Sequence, residues 1–187
     1  MTCGVDEAGR GPLAGPVAAA AVCLGPARDQ LLAEGLLRDS KRLSALQRHA
    51  AATQIARHAV AWSVGWAWPQ EIDRINIHCA ALLAMARAVG GLGCAPSEVL
   101  VDGTFAPEIP YPVRTIVGGD NCVPEIMAAS IMAKTARDRW MIDYSLIEPR
   151  YGFERHKGYP TRDHRLRIQE FGPCPIHRRS FRLLGPS

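Results

Sequence analysis

Three acidic residues share one local context, since each follows a short apolar run and lies near a glycine. Asp6, Asp102 and Asp120 all come at or just beyond the end of a run that is typical of a buried strand. In an open α/β sheet, ligands bind in the crevice at the carboxyl ends of the strands. Carboxylates that converge there repel one another, and a hard cation such as Mg2+ relieves the repulsion. The pattern therefore predicts a metal site, although each Asp taken alone is more typical of a turn or helix cap.

Glu7 is a fourth acidic candidate, and its position next to Asp6 raises a geometric difficulty. Adjacent residues of a regular strand point to opposite faces of the sheet, so both carboxylates could not approach one ion. We therefore expect the strand to end or to bulge at this point, which Gly9 and Gly11 would allow.

A glycine-containing loop, Gly9-Arg10-Gly11-Pro12, follows the first two acids. Its glycines let backbone N–H groups approach a phosphate or a sugar closely, and Arg10 can supply charge. The spacing is not that of a dinucleotide fingerprint, and no Gly-Lys-Ser/Thr follows.

The other polar candidates allow two interpretations each. Lys41 lies in a turn before a helix, and Lys134 and Arg137 share one helix face, for which solvent exposure is the default expectation. Tyr159 lies in a loop among cations, where an aromatic ring can stack on a sugar or base or simply pack against the protein. Thr161 is a candidate helix N-cap.

Hydrophobic periodicity and turn residues predict alternating strands and helices after an initial hairpin, hence a mixed α/β sheet. The second strand is rich in alanine, so periodicity alone does not exclude a helix there. The helix after residue 69 should bury Ile72, Ile75, Leu82, Leu83 and Met85. The predicted strands are 2–6, 16–24, 60–68, 98–101 and 113–117, and the predicted helices are 44–58, 69–89 and 124–147.

Composition is that of a globular protein, with 48% hydrophobic and 21% charged residues. Residues 150–187 hold 9 Lys and Arg against 3 acids, whereas residues 1–149 hold 13 against 15, so a basic C-terminal segment could meet phosphates. No apolar run reaches the roughly 18 residues of a membrane span, and no secretory signal is present, which favours the cytoplasm. The six scattered cysteines are expected to be reduced and mostly buried.

Several motifs, in order along the chain, resemble those of bacterial ribonuclease HII. Residues 4–17, Gly-Val-Asp-Glu-Ala-Gly-Arg-Gly-Pro-Leu-Ala-Gly-Pro-Val, are similar to the opening motif of that family, and residues 174–181, Cys-Pro-Ile-His-Arg-Arg-Ser-Phe, to its C-terminal signature. Between them come the blocks at 39–41, 101–103, 119–120, 128–134, 137–138 and 156–159. Cys122 and Glu125 depart from the family pattern, which bears on substrate preference rather than on activity.

The resemblance implies an RNase H-like fold, a mixed five-stranded sheet flanked by helices with a helical C-terminal part. Residues 1–187 would form one catalytic domain, in which a basic helical segment at about 150–187 contributes to substrate binding. The resemblance also implies an acidic tetrad that holds two Mg2+ or Mn2+ ions, and a set of substrate-binding residues. The tetrad is Asp6, Glu7, Asp102 and Asp120, and the substrate-binding residues are Gly9, Arg10, Gly11, Lys41 and Tyr159.

The activity implied is hydrolysis of RNA in RNA–DNA hybrids, and of duplex DNA 5′ to a single embedded ribonucleotide, by a monomer. Retention of Arg10 between the two glycines points to the HII type rather than HIII. Two alternatives remain open from the sequence: a non-catalytic nucleic-acid-binding module that uses the basic segment, and another RNase H-like nuclease such as a junction resolvase.

Overall fold

A computed structural model describes residues 1–184, and its centre is a mixed five-stranded sheet. The strand order is β3-β2-β1-β4-β5, so β1 lies in the middle. It pairs antiparallel with β2 and parallel with β4. The predicted α/β fold with a mixed sheet is confirmed. The strands are β1 (Thr2–Ala8), β2 (Val17–Cys23), β3 (Ala61–Ala67), β4 (Glu98–Asp102) and β5 (Val113–Ile116).

Helices flank the sheet and form the C-terminal part. Ser44 caps α2 as predicted, since its side chain accepts a hydrogen bond from the backbone N–H of Gln47, and Pro69 occupies the first turn of α3. The helices are α1 (Ala27–Ala33), α2 (Ala45–His58), α3 (Pro69–Gly90), α4 (Pro124–Ile147), α5 (Phe153–His156) and α6 (Arg162–Phe171). Short 3-10 turns lie at Gly119–Asn121 and Pro149–Tyr151.

The alanine-rich segment is a strand, and every residue of β2 is buried. Ala19 and Ala21 belong to the core on the α3 side of the sheet, whereas Ala20 and Val22 belong to the core on the α4 side. A strand covered on both faces reads as a continuous apolar run, which explains why periodicity could not distinguish it from a helix.

Two glycines let the long helices approach the sheet closely. A Cβ at Gly4 of β1 would lie 2.1 Å from the backbone carbonyl carbon of Glu125 in α4, and one at Gly65 of β3 would lie 2.2 Å from the carbonyl oxygen of Ala84 in α3. Any larger residue would push either helix away from the sheet. The contact at Gly4 fixes the distance between α4 and the strand that carries Asp6.

The C-terminal part packs on the loop between β1 and β2. Its core combines Leu13 and Ala14 of that loop with Tyr151, Phe153 and Ile168. Thr161 caps α6 as predicted, since its side chain accepts from the N–H of His164. The final three residues of the basic segment 150–187 lie outside the described residues.

Other features were not predicted. Helix α1 was not predicted from the sequence. Helix α3 is interrupted at Asn76, whose φ of 66° and ψ of 166° are not helical. The side-chain oxygen of Asn76 accepts from the N–H groups of His78 and Cys79, and so caps the second part of the helix. Ile72 and Met85 are fully buried, whereas the other predicted core positions of α3 are partly exposed.

Two further expectations, on cysteine burial and on membrane spans, can be compared with the structure. Cys3, Cys23 and Cys174 are buried, whereas Cys79 and Cys122 are exposed, so burial holds for only part of the set. Within residues 1–184, no helix combines the length and the apolar character needed to cross a bilayer.

Candidate metal centre and nucleic-acid groove

Two neighbouring strands and the turn after β5 bring Asp6, Asp102 and Asp120 together. Asp6 lies in β1 and Asp102 ends β4; because Val5 pairs with Val101 in the parallel ladder, the two aspartates are neighbours. Asp120 lies in the 3-10 turn that follows β5. One carboxylate oxygen from each lies within 4.8 Å of the other two. This is the convergence of acids that the sequence pattern predicted.

The acids occupy an environment that resists their negative charge. Burial raises the pKa of Asp6 well above its usual range, and the neighbouring charges of Glu7 and Asp102 raise it further. A cation already approaches one member of the cluster, because the Nζ of Lys41 donates to Asp120 Oδ2 at 3.1 Å. That contact raises the pKa of Lys41. The cluster therefore requires positive charge nearby.

Glu7 lies outside the three-aspartate group. Of the two expectations for this point, an end or a bulge, the structure shows an end: β1 pairs regularly with β2 through Ala8 and stops there. The side chain of Glu7 leaves the opposite face of the strand and contacts Arg10, with 3.3 Å between Oε1 and Nη1. It nevertheless lines a cleft together with Asp102, so it stands beside the cluster from the other side of the sheet.

The donor set fits a hard divalent cation. Three carboxylates supply oxygen ligands only, which is the chemistry that Mg2+ and Mn2+ prefer. Asp6 and Asp120 are each only 5% exposed, so bulk water solvates neither carboxylate well. Ions bound here would remove the repulsion that raises the pKa of Asp6.

A polar groove of about 250 Å3 adjoins the acids. Tyr159 lines it and is 38% exposed, and a Cβ at Gly11 would lie 3.7 Å from the Tyr159 Cε1 atom. The Lys134 Nζ is 5.5 Å from the centre of the same ring. The residues that line the groove are Glu7, Ala8, Gly9, Arg10, Gly11, Ser40, Lys41, Ser130, Lys134 and Tyr159. The substrate-binding residues suggested by the sequence thus share one groove.

The segment that carries Lys41 is held against α4. The Ser40 hydroxyl lies 2.9 Å from that of Ser130, and Arg48 donates to the Ser40 carbonyl at 2.9 Å. The Ser130 hydroxyl also opposes the rise in the pKa of Asp6. Lys41 therefore belongs to a supported turn rather than to a free cap.

Two buried arginines hold the loop between β1 and β2, and sequence reasoning missed both. Arg137, which was expected on a solvated face, is fully buried and donates to the carbonyls of Pro16, Ala14 and Lys157 at 3.0–3.1 Å. The solvated-face prediction is therefore wrong for this residue.

Arg178 is the second of these arginines and is also fully buried. It donates to the carbonyls of Gly9, Arg10 and Gly15 at 2.6–2.9 Å. Burial lowers the pKa of both guanidinium groups, which nonetheless stay cationic at neutral pH. The only available signal was their place in family-like motifs, because contacts to distant carbonyls leave no sequence pattern.

A buried pair of histidines fixes the other side of Tyr159. His164 Nδ1 lies 2.9 Å from the Tyr159 carbonyl oxygen, and its Nε2 lies 3.0 Å from the Nε2 of His177. The Cys174 N–H donates to His177 Nδ1 at 2.9 Å. These contacts define one tautomer for each neutral ring, since His164 must donate to the carbonyl and accept from His177.

Cys122 and Glu125, which depart from the family pattern, line a different cleft together with Thr2 and Glu98. Glu125 is buried and pairs with Arg28, at 3.3 Å between Oε1 and Nε. Neither side chain contributes to the cluster of aspartates.

Comparisons with known proteins all point to one family. The family model described as Ribonuclease HII matches residues 3–184. A protein named Ribonuclease HII from Nitrosospira multiformis is 52% identical over 179 residues, covering 96% of this chain and 88% of that protein. One from Bordetella pertussis is 54% identical over 178 residues, covering 95% and 87%.

Solved structures share the fold. Ribonuclease H2 from Pyrococcus horikoshii OT3 has a TM-score of 0.82 at 25% identity and covers 97% of this chain and 94% of its own. RNase HII in the PCNA:RNase HII complex from Archaeoglobus fulgidus has a TM-score of 0.75 at 25% identity, with coverage of 96% and 92%. Bst-RNase HIII in complex with Mn2+ has a TM-score of 0.71 at 18% identity, with coverage of 97% and 67%, which supports the fold alone.

Proposed function

The chain belongs to the ribonuclease HII family, whose members are nucleases that degrade the RNA of RNA–DNA hybrids, and from that premise we propose a more specific activity. The protein cuts duplex DNA on the 5′ side of single embedded ribonucleotides, and so removes ribonucleotides during DNA replication and repair. The observation that carries this proposal is the position of the three aspartates beside a groove lined by Gly9, Arg10, Gly11 and Tyr159.

Asp6, Asp102 and Asp120, with Glu7 from the opposite face, are the residues that would hold two Mg2+ or Mn2+ ions. Bound ions would supply an activated water molecule and stabilise the leaving 3′ oxygen, giving 3′-hydroxyl and 5′-phosphate ends. The carboxylates hold their positions because β1 and β4 are neighbouring parallel strands in the buried sheet. Their role is to bind and orient the ions, and the ends of strands in a rigid sheet do this better than a mobile loop.

The groove residues would recognise the ribonucleotide. Backbone N–H groups of residues 9–11 can reach a sugar closely because two of the three residues are glycines. Tyr159 is exposed enough to stack on the adjoining sugar. Lys41 would contact a backbone phosphate once cations replace it at Asp120. The 2′-hydroxyl is the group that separates RNA from DNA at such a site.

The basic segment 150–187 would contact the phosphates of the duplex outside the groove, because 9 of its residues are Lys or Arg. We further propose that residues 1–187 act as one catalytic domain, as a monomer in the cytoplasm. These proposals rest on composition and on packing of the C-terminal helices against the loop between β1 and β2.

A synthetic duplex tests the activity. The substrate is a DNA duplex with one ribonucleotide and a label on that strand, and the control is the same duplex without the ribonucleotide. We expect a single cut on the 5′ side of the ribonucleotide with Mg2+ or Mn2+, none with a chelator, and none in the all-DNA duplex. Cleavage of the all-DNA duplex, or at a branched junction only, would contradict the proposal.

A further inference from the structure

Arg178 donates hydrogen bonds to three carbonyl groups of the loop between β1 and β2. Its Nη2 donates to the Gly9 carbonyl at 2.6 Å, its Nη1 to the Arg10 carbonyl at 2.9 Å, and its Nε to the Gly15 carbonyl at 2.9 Å. Its backbone N–H also donates to the carbonyl of Leu13 at 2.8 Å. A residue near the C-terminal end of the chain thus fixes the orientation of successive peptide groups near the N-terminal end.

The captured carbonyls determine where the next N–H groups point. In a planar trans peptide the C=O and the N–H point in opposite directions. Because the carbonyls of Gly9 and Arg10 face Arg178 in the interior, the N–H groups of Arg10 and Gly11 face away from it. Among residues 1–184 neither N–H has a hydrogen-bond acceptor. Both residues line the groove that contains Tyr159.

Arg178 is buried without a compensating acid. Its side chain is fully buried, and no carboxylate of the described residues lies within ion-pair distance of it. Arg137 binds the carbonyls of Ala14 and Pro16 in the same way. Burial of an unpaired charge is costly. A neutral side chain would avoid that cost, but only a guanidinium fork can reach three carbonyls at once.

We infer that Arg178 is the positioning residue for sugar discrimination, because it aims the N–H groups of Arg10 and Gly11 at the 2′ oxygen of a ribose in the groove. This inference rests on the function proposed above. A ribose gives the two donors an acceptor. A deoxyribose leaves them unpaired where water has been displaced, and sites of that kind reject the analogue that lacks the hydroxyl.

The test compares three variants by their preference for a ribonucleotide. Arg178→Gln removes the fork and the charge, Arg178→Lys keeps the charge but not the fork, and Arg179→Gln removes the charge of the exposed neighbouring arginine. The dissociation constants are measured for a duplex with one ribonucleotide and for the matching all-DNA duplex, with Ca2+ in place of Mg2+. Recovery of uncut duplex is the check on each measurement.

The expected results separate positioning from charge. Both Arg178 variants should reduce the preference for the ribonucleotide duplex by about tenfold or more, since in both the two N–H groups lose their fixed direction. Arg179→Gln should weaken binding of the two duplexes equally and leave their ratio within about twofold. A folded Arg178→Gln or Arg178→Lys protein with the wild-type ratio would overturn the inference.

A second measurement does not depend on a variant that folds. In 15N-labelled wild-type protein, the amide signals of Arg10 and Gly11 should shift on addition of the ribonucleotide duplex and shift much less with the all-DNA duplex. Equal shifts with both duplexes, or none with either, would show that these N–H groups do not recognise the sugar. Failure of the proposed function looks different, because the wild-type protein would then not cut the ribonucleotide duplex at all.

Discussion

At the level of single residues, Asp102 is the carboxylate that joins the two others. It ends β4 next to Asp6, and its Oδ1 lies 3.4 Å from the backbone N of Asp120. It is also the aspartate that shares a cleft with Glu7. A change at this position should therefore affect ion binding more than folding.

We expect Asp102→Asn to lower cleavage of the single-ribonucleotide duplex by more than about 100-fold, because a neutral amide is a weaker ligand for a divalent cation. The circular dichroism spectrum and much of the duplex binding should remain. Asp143→Asn is the matched control, since Asp143 is exposed and pairs only with Arg139 of the described residues, at 3.0 Å. Near-normal turnover by Asp102→Asn with Mg2+ present would refute the assignment.

Asp6 makes a separate prediction about stability, because burial and neighbouring charges raise its pKa. A carboxyl group whose pKa is raised in the folded state stabilises the fold at low pH. That contribution is lost as the pH rises toward the folded-state pKa, so at neutral pH the buried carboxyl group destabilises the metal-free protein. We expect Asp6→Asn to raise the free energy of unfolding at pH 7 in a chelator, and to abolish cleavage.

Urea denaturation with a chelator and with Mg2+ checks this expectation. Added Mg2+ should stabilise the wild-type protein, because a ligand that binds only the folded state shifts the equilibrium, and it should stabilise Asp6→Asn much less. If the metal-free Asp6→Asn protein is less stable than the wild type at pH 7, the repulsion inferred within the cluster is wrong.

At the level of elements, the sequence predicted those parts that depend on local pattern. All five strands and the three long helices lie near their predicted positions, because caps, turns and periodicity are local signals. The acids could be grouped because each follows a short apolar run. The burial of Arg137 and Arg178 could not be predicted, because most of their partners are carbonyls more than 100 residues away. The strand was expected to end or to bulge near Glu7; it ends at Ala8 without a bulge, and Glu7 meets Asp102 along a second cleft.

The contact between β1 and α4 makes a prediction at this scale. Gly4→Ala would place a Cβ against the backbone of Glu125, so α4 must shift. We expect a loss of roughly 1–3 kcal/mol in the free energy of unfolding, as for other overpacked cores. Cleavage should also fall, because α4 packs directly against β1, the strand that carries Asp6.

Gly93→Ala is the matched control for this change. A Cβ at Gly93 meets no atom within 4 Å, so stability should change by less than about 0.5 kcal/mol. Denaturation and duplex cleavage are measured on both variants. Equal stability of the two would mean that the close approach of α4 to β1 is not required.

At the level of the whole molecule, the C-terminal part completes a groove that begins near the N-terminus. Arg178 holds the glycine loop, and His177 pairs with Ala14 of the same loop in an isolated β-bridge. His177 also reaches His164, which holds the Tyr159 carbonyl. Both walls of the groove therefore depend on a single segment, 174–178, being in place.

The buried histidine pair makes the stability of this arrangement depend on pH. Burial lowers the pKa of His164 and of His177 to about 4 from an ordinary value of 6.5. As the pH falls from about 6.5 toward 4, the two histidines bind protons in the unfolded chain but stay neutral in the folded protein. The folded state then loses stability, by up to about 1.4 kcal/mol per pH unit for each histidine. Above pH 6.5 and below pH 4 the histidine pair no longer makes the free energy of unfolding depend on pH.

Urea denaturation at several pH values between 7 and 4, in a chelator, measures this slope. The comparison is a double variant, His164→Asn with His177→Gln, in which neither amide takes up a proton in that range. Other groups, such as Asp6, titrate in both proteins, so the difference between the two curves isolates the pair. We expect the wild-type free energy of unfolding to fall more steeply than that of the variant below pH 6.5. Parallel curves would show that the two rings accept protons in the folded protein without disturbing the contact that holds Tyr159.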